Sequence, residues 1–289
     1  MTEIARAVEA HDLLGECCLW CPVTKRVWWI DVRRACLQSF DPVSRDYQVY
    51  PLPSPHCGCI ALRRSGGFVV ALDHGLHGFD PASGKLQFLT HPEANESGNR
   101  YNDGRCDRRG RLWIGTMDIG IRRASGSFYR ISADRSTVRM FDGVTVPNST
   151  AFSPDDRTLY FADTPRNVIW AFDFALHAGA IGERRVFADL TARQGHPDGS
   201  CVDAQGFLWN AEYSGRRLTR YAPDGRVDRS IELPVTHATC CCFGGENLDT
   251  LYVTTASPTK RDIVPKAMDG ALLALSPGVH GLPESAFGG

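Results

Sequence analysis

A short pattern recurs along this chain at nearly even spacing. A turn carrying Asp, Gly or Lys leads into an apolar pair at Thr24-Lys25-Arg26-Val27-Trp28, Ser65-Gly66-Gly67-Phe68-Val69 and Arg109-Gly110-Arg111-Leu112-Trp113. It returns at Asp156-Arg157-Thr158-Leu159-Tyr160, Gln205-Gly206-Phe207-Leu208-Trp209 and Asn247-Leu248-Asp249-Thr250-Leu251-Tyr252. The closing apolar residues stand at 28, 69, 113, 160, 209 and 252, so consecutive copies lie 41 to 49 residues apart. A period of about 45 residues holds four strands of about 5–6 residues with their turns, which is one propeller blade. A further strand follows most copies, at 126–131, 168–174, 218–221 and 270–275, whereas helical periodicity is scarce. Six such units occupy most of the 289 residues. The pattern predicts an all-β fold: one six-bladed β-propeller domain over 1–289, with four-stranded antiparallel blades. An N-terminal strand near Ile4 to Ala10 is expected to pair into the last blade and close the ring. A β-sandwich would explain the strands but not their spacing.

Composition narrows the function. Apolar residues at 43% and charged residues at 22% exclude wholesale disorder. A formal net charge of −1 provides no global field for nucleic acid, and none is expected as a partner. The longest apolar stretch, Val168 to Gly182, is interrupted by Asp173 and His177, so no membrane association is expected. Glu3 and Glu9 stand where a secretory leader wants a basic then apolar start, so the expected location is the cytoplasm. The eleven cysteines agree, because an odd number with runs such as Cys240-Cys241-Cys242 reads as small buried apolar side chains. Cys18 and Cys21 have the spacing of half a zinc site, but no second pair completes it.

The first strand of each blade lines a propeller's channel, so equivalent positions in different blades converge on the axis. Glu16 and Asn148 lie 12 residues before their markers, and Asn102 and Asp198 lie 11 before theirs. His56 and His237 stand slightly further back, at 13 and 15. Asn102-Asp103-Gly104 and Pro197-Asp198-Gly199 also have the composition of simple turns. Their common register favours the axis. Carboxylates and carboxamide oxygens meeting in one funnel require a cation between them. Oxygen ligands suit one divalent ion and admit Ca²⁺, Mg²⁺, Mn²⁺, Zn²⁺ or Fe²⁺.

Leu14-Gly15-Glu16, Arg100-Tyr101-Asn102-Asp103-Gly104, Gly115-Thr116-Met117, the run from Asn148 to Asp155, and Pro197-Asp198-Gly199 together carry a resemblance. In content and order they resemble the SMP-30/gluconolactonase/regucalcin family along nearly the whole chain. That resemblance implies a divalent metal held by Glu16, Asn148 and Asp198, with substrate contacts from Arg100, Asn102 and Asp118. It also implies hydrolysis of a sugar lactone to its aldonic acid. The chain departs from the common family pattern at Cys17-Cys18, Ser149-Thr150 and Ser200-Cys201, which flank the expected ligands without replacing any.

In the chemistry so implied, the metal acts as a Lewis acid on the lactone carbonyl, and Asp198 is the expected general base. Arg100 and Asn102 would hold hydroxyls and the developing oxyanion. A neutral pentono- or hexonolactone is the default substrate, while Arg122 and Arg123, in a loop able to cover the funnel, raise the alternative of an anionic sugar lactone. Arg108 and Arg109 are read as solvated turn residues, and Glu93 and Glu96 as solubilising residues of a rim loop. Asp163 could support the site or cap a turn, and His196 could face the substrate or the solvent. Other readings of the same architecture are a non-catalytic calcium-binding regulatory propeller and a phosphotriesterase or other esterase. A protein-binding scaffold would favour recurring Gly-His and Trp-Asp dipeptides, and the chain contains Gly-His once, at Gly195-His196, and no Trp-Asp. The sequence also lacks a Gly-x-Ser-x-Gly elbow, a Walker A loop, Gly-x-Gly-x-x-Gly and His-Glu-x-x-His.

Overall fold

Each repeat folds because its apolar content falls from inside to outside. The second strand of blade one, Arg26–Asp31, buries Val27, Trp28, Trp29 and Ile30 almost completely, whereas its outermost strand, Tyr47–Pro51, is largely exposed. The outermost strand of blade five, Val227–Glu232, is likewise polar and exposed. The charges of Asp228, Arg229 and Glu232 on that edge suppress pairing with other chains. The computed structural model describes residues 3–96, 98–259 and 264–289.

Six four-stranded antiparallel sheets result. Every sequence marker lies in the second strand of its blade, including Trp113 in Leu112–Asp118 and Trp209 in Leu208–Tyr213. The strand Ile4–Val8 pairs antiparallel with Leu272–Leu275 and forms the outer edge of blade six, as the sequence predicts. The inner strands Gly15–Cys21, Cys57–Leu62, Asn99–Cys106, Pro147–Phe152, His196–Val202 and His237–Gly244 pack against one another in a closed ring. Apolar clusters fill the wedges between blades, with Trp29, Trp113 and Trp209 fully buried. All eleven cysteines are buried and unpaired, in keeping with their reading as apolar residues. Among the described residues the helical content is one 3₁₀ turn, Thr164–Arg166, and no helix is long and apolar enough to cross a membrane.

One irregularity repeats around the ring. Each inner strand carries a break in register against its neighbour, at Glu16/Leu19, Cys57/Cys59, Asn102/Gly104, Asn148/Ala151, Pro197/Ser200 and Ala238/Cys240. Such a bulge re-aims side chains that strict alternation would send elsewhere. Cys17 and Ser149 adopt positive φ (50° and 60°) within these bulges. Gly199 belongs to the same set: a Cβ there would lie 2.6 Å from the Cys240 sulfur, so only glycine lets the blade-five bulge approach blade six.

The chain ends on the opposite face. The segment after blade six runs across the turns that leave the inner strands. Gly281 N donates to Leu248 O, Ala204 N to His280 O, Phe287 N to Leu62 O and Gly288 N to Gly110 O. The tail thereby ties together blades two, three, five and six.

Candidate active site

The bulges bring Glu16, Asn102, Asp103, Asn148 and Asp198 to one end of the channel. Glu16 and Asp198, distant in sequence and on blades one and five, are close enough for their carboxyl groups to share a hydrogen bond. Burial and the neighbouring Asp103 push the Glu16 carboxyl up to about 8. Burial and then Glu16 push Asp198 well above the ordinary carboxylate range. Asp103 is raised by burial as well.

The protein supplies few donors to these acids. Glu16 Oε2 accepts from the amide of Cys17 at 3.1 Å, and Asp103 Oδ2 accepts from the amide of Thr150 at 2.7 Å. Backbone bonds instead fix the main chain beneath them. Ser149 Oγ and Asn210 Nδ2 both donate to the carbonyl of Asp198, at 2.6 and 2.9 Å, which anchors the blade-five bulge to blade four. Asn148 Nδ2 donates to Thr164 Oγ1 at 2.7 Å, and that hydroxyl donates to Pro197 O at 2.9 Å, so the carboxamide oxygen is turned inward. Asp163 accepts from the amides of Thr145 and Val146, at 3.2 and 2.8 Å, and thus caps the turn that leads into Asn148.

Arg100 and Asn102 are linked. Arg100 Nη1 donates to Tyr101 O and to Asn102 Oδ1, both at 2.8 Å. Asn102 Nδ2 in turn donates to Pro147 O at 2.8 Å and Asn148 Oδ1 at 3.2 Å. Asn102 is therefore a brace between Arg100 and Asn148 as well as an axial residue. Burial lowers Arg100 to about 10, with Glu16 acting in the opposite direction. The mouth also receives Tyr213, whose hydroxyl is raised by burial and by Asp198, and whose ring stacks on His237 at 4.2 Å.

Other expected residues are engaged elsewhere. The Asp118 carboxylate accepts from the Arg122 amide at 2.9 Å and pairs with Arg123 at 2.8 Å, within its own loop. His196 is half-buried and bonded to Asn167 Oδ1 at 2.6 Å, while His56 pairs with Asp73 at 3.0 Å. Arg108 is exposed yet pairs with Asp156 at 2.7 Å, so it is more than a solvated turn residue. Glu93 corrects the sequence reading outright. Rather than solubilising a loop, it is buried and accepts from Thr116 Oγ1, Tyr129 OH and Asn99 Nδ2 at 2.6, 2.9 and 3.0 Å. Its three partners hold the rim loop onto blade three.

Sequence reasoning did not single out Asp103. Strict strand alternation would send Asp103 away from the face of Asn102, and the bulge between Asn102 and Gly104 overrides that rule. The repeated irregularity at equivalent registers was the only available signal, and it is visible only once the strands are paired.

Glu16, Asn148 and Asp198 offer side-chain oxygen atoms, and the Glu16 carboxyl pushes that of Asp198 up, a repulsion that a dication would relieve. This chemistry fits a hard divalent ion. Among the described residues no group of three or more His, Cys, Asp and Glu side chains is arranged as a metal site, so the expected set depends on the Asn148 carboxamide as its third member.

Six four-stranded blades with acidic side chains gathered at one channel mouth define the architecture. The chain belongs to the SMP-30/gluconolactonase/LRE-like family, whose model matches residues 14–257. It is 34% identical over 287 residues to a 6-deoxy-6-sulfogluconolactonase of Pseudomonas putida, covering 98% of this chain and 97% of the relative. An L-arabinolactonase of Azospirillum brasilense is 36% identical over 252 residues, covering 86% and 82%. The crystal structure of the calcium-binding protein regucalcin from Agrobacterium tumefaciens superposes with a TM-score of 0.93 at 31% identity, covering 99% of this chain and 97% of that one.

Proposed function

We propose that this protein is a divalent-metal-dependent sugar lactonase that opens an aldonolactone to the aldonic acid. The observation that carries the reading is the convergence of Glu16 and Asp198 from opposite parts of the chain into one buried, donor-poor pair beside Asn148 and Asp103. The lactonases among its relatives support the substrate class.

Glu16, Asn148 and Asp198 would hold the ion, which when bound supplies Lewis acidity toward the lactone carbonyl and eases ionisation of water. Asp198 serves as general base: it accepts the proton of the attacking water and returns it to the ring oxygen as the C–O bond breaks. Its main chain is fixed by Ser149 and Asn210, so the carboxylate meets the substrate in one position. Arg100 is held by Nη1 alone, and its other N–H groups face the task of binding substrate oxygens. Asn102 fixes the Arg100 head and adds a carboxamide beside it. Asp118 acts through its loop by holding Arg122 and Arg123 at the rim. A rate acceleration of about 10⁶-fold needs roughly 8 kcal/mol, within reach of charge stabilisation combined with orientation.

A continuous acid-release assay on a panel of neutral and anionic aldonolactones and simple esters tests the reading. Lactone turnover that disappears on chelation and returns with a divalent ion is the expected result. Turnover indifferent to chelation would remove the metal from the proposal. Ion binding with no turnover of any lactone would favour a calcium-binding role, as in the relative of solved structure.

A further inference from the structure

The tail that crosses the far face sends one side chain into the channel. Glu284 pairs with Arg105 Nη1 at 2.6 Å, and both side chains are largely buried. Arg105 belongs to the inner strand of blade three, two residues beyond Asp103. Its remaining nitrogens reach two other blades. Nε donates to the carbonyl of Thr150 at 3.2 Å, and Nη2 donates to that of Ser200 at 3.1 Å. Thr150 lies two residues after Asn148 and Ser200 two residues after Asp198, each at the bulge that presents the expected ligand. One guanidinium rooted in blade three therefore clamps the bulges of blades four and five. The planar fork of arginine suits this task, since several fixed donors serve acceptors in different directions.

The charge arrangement has a second effect. Arg105 is near enough to Asp103 for its cation to act on that carboxylate. Paired with Glu284, the guanidinium is neutralised from below. Unpaired, it would supply positive charge beside Asp103 and oppose a dication at the channel mouth.

We propose that Glu284, acting through Arg105, is a positioning residue of the axial site: the C-terminal segment sets the geometry of the Asn148 and Asp198 bulges and keeps the funnel open to a divalent cation. The inference rests on the reading of Asn148 and Asp198 as ligands. Outer partners of metal ligands typically contribute about 10–100-fold to affinity, and a loss of that size is expected here.

The test compares wild type, Glu284→Gln and Glu284→Asp by calorimetric titration with Mn²⁺ and Ca²⁺, together with amide hydrogen exchange of the ion-free proteins. Glu284→Gln should bind the ions about 10–100-fold more weakly, and Glu284→Asp should recover part of the loss. The Thr150 amide, which is held by Asp103, should exchange faster in Glu284→Gln, while the strand pair Arg26–Asp31 and Cys36–Phe40 of blade one stays protected. Equal ion affinity in wild type and Glu284→Gln overturns the proposal. So does exchange that rises uniformly across all blades, the mark of a merely structural role. Should wild type bind neither ion, the metal reading above fails instead, and the exchange pattern alone then decides whether Glu284 positions the bulges.

Discussion

Two groups of buried carboxylates occupy this propeller, and they are solvated in opposite ways. Asp203, at the turn leaving the inner strand of blade five, accepts from the amides of Gln205 and Phe207, from the Trp209 indole and from Arg220, all between 2.8 and 3.0 Å. Asp107 repeats the arrangement in blade three with the amides of Arg109 and Arg111, the Arg111 guanidinium and the Trp113 indole. At the other end of the inner strands, Glu16 accepts from the Cys17 amide and Asp103 from that of Thr150, while burial and the Glu16 carboxyl push Asp198 up. Folding completes the first group and leaves the second short of positive charge. Completed acids hold blades together; incomplete ones are where binding energy for a cation can be found.

The sharpest break of that comparison is functional. Asp198→Ala should lower kcat for lactone hydrolysis by at least about 10³-fold, because a general base and a metal-binding oxygen are lost together. Its thermal midpoint without metal should hold or rise, since a buried acid short of donors has been removed. A variant retaining most of the wild-type rate would exclude Asp198 as the base. The converse variant is Asp203→Ala, which strands Arg220 and the Trp209 indole. It should destabilise the protein by about 3–5 kcal/mol, with the active fraction retaining its kcat, as read by denaturant melts and active-site titration.

Ligand linkage distinguishes the two groups next. A divalent ion at 100 times its dissociation constant should stabilise wild type by about 2.7 kcal/mol. The same addition should leave Glu16→Gln and Asp198→Asn unchanged and should still stabilise Asp203→Ala.

Asp12 sharpens the comparison because it lies between the groups. It accepts from Trp29, Gln38 and Arg34 at 2.9, 2.8 and 2.7 Å, yet burial still raises it to about 6. The native state thus binds this proton more tightly than the unfolded chain. Its contribution is full below about pH 4 and is lost as pH rises through about 6, a change of about 3 kcal/mol. Asp12→Asn carries no such titration, so its stability relative to wild type should improve between pH 4 and 7 and stay level above that. A difference that is flat with pH would show that the three donors fully compensate the burial.

The repeat made the architecture legible, because blade length is set by strand and turn lengths that composition reveals directly. Glu16, Asn102, Asn148 and Asp198 were legible for the same reason, as polar residues at a shared register. Asp103 was not, since a bulge reverses the alternation on which a strand reading depends. Glu93 was misread because a carboxylate in a Pro- and Asn-containing stretch looks solvated until Thr116 and Tyr129 arrive from neighbouring strands. Arg105 and Glu284 were invisible: they lie 179 residues apart, and no local pattern distinguishes a guanidinium that bridges two neighbouring blades from one that faces water.

Joining Ile4 to Leu275 has a consequence for how the molecule is made. The strand Ile4–Val8 cannot find its neighbour until Leu272–Leu275 has been synthesised about 270 residues later, which at about 5–20 residues per second takes on the order of 10–50 s. Throughout that interval the nascent ring is an open arc, and its last blade cannot be completed. Completion of the toroid is therefore a late event that unites strands far apart along the polymer, and loss of Ile4–Val8 would leave Leu272–Leu275 as a bare sheet edge.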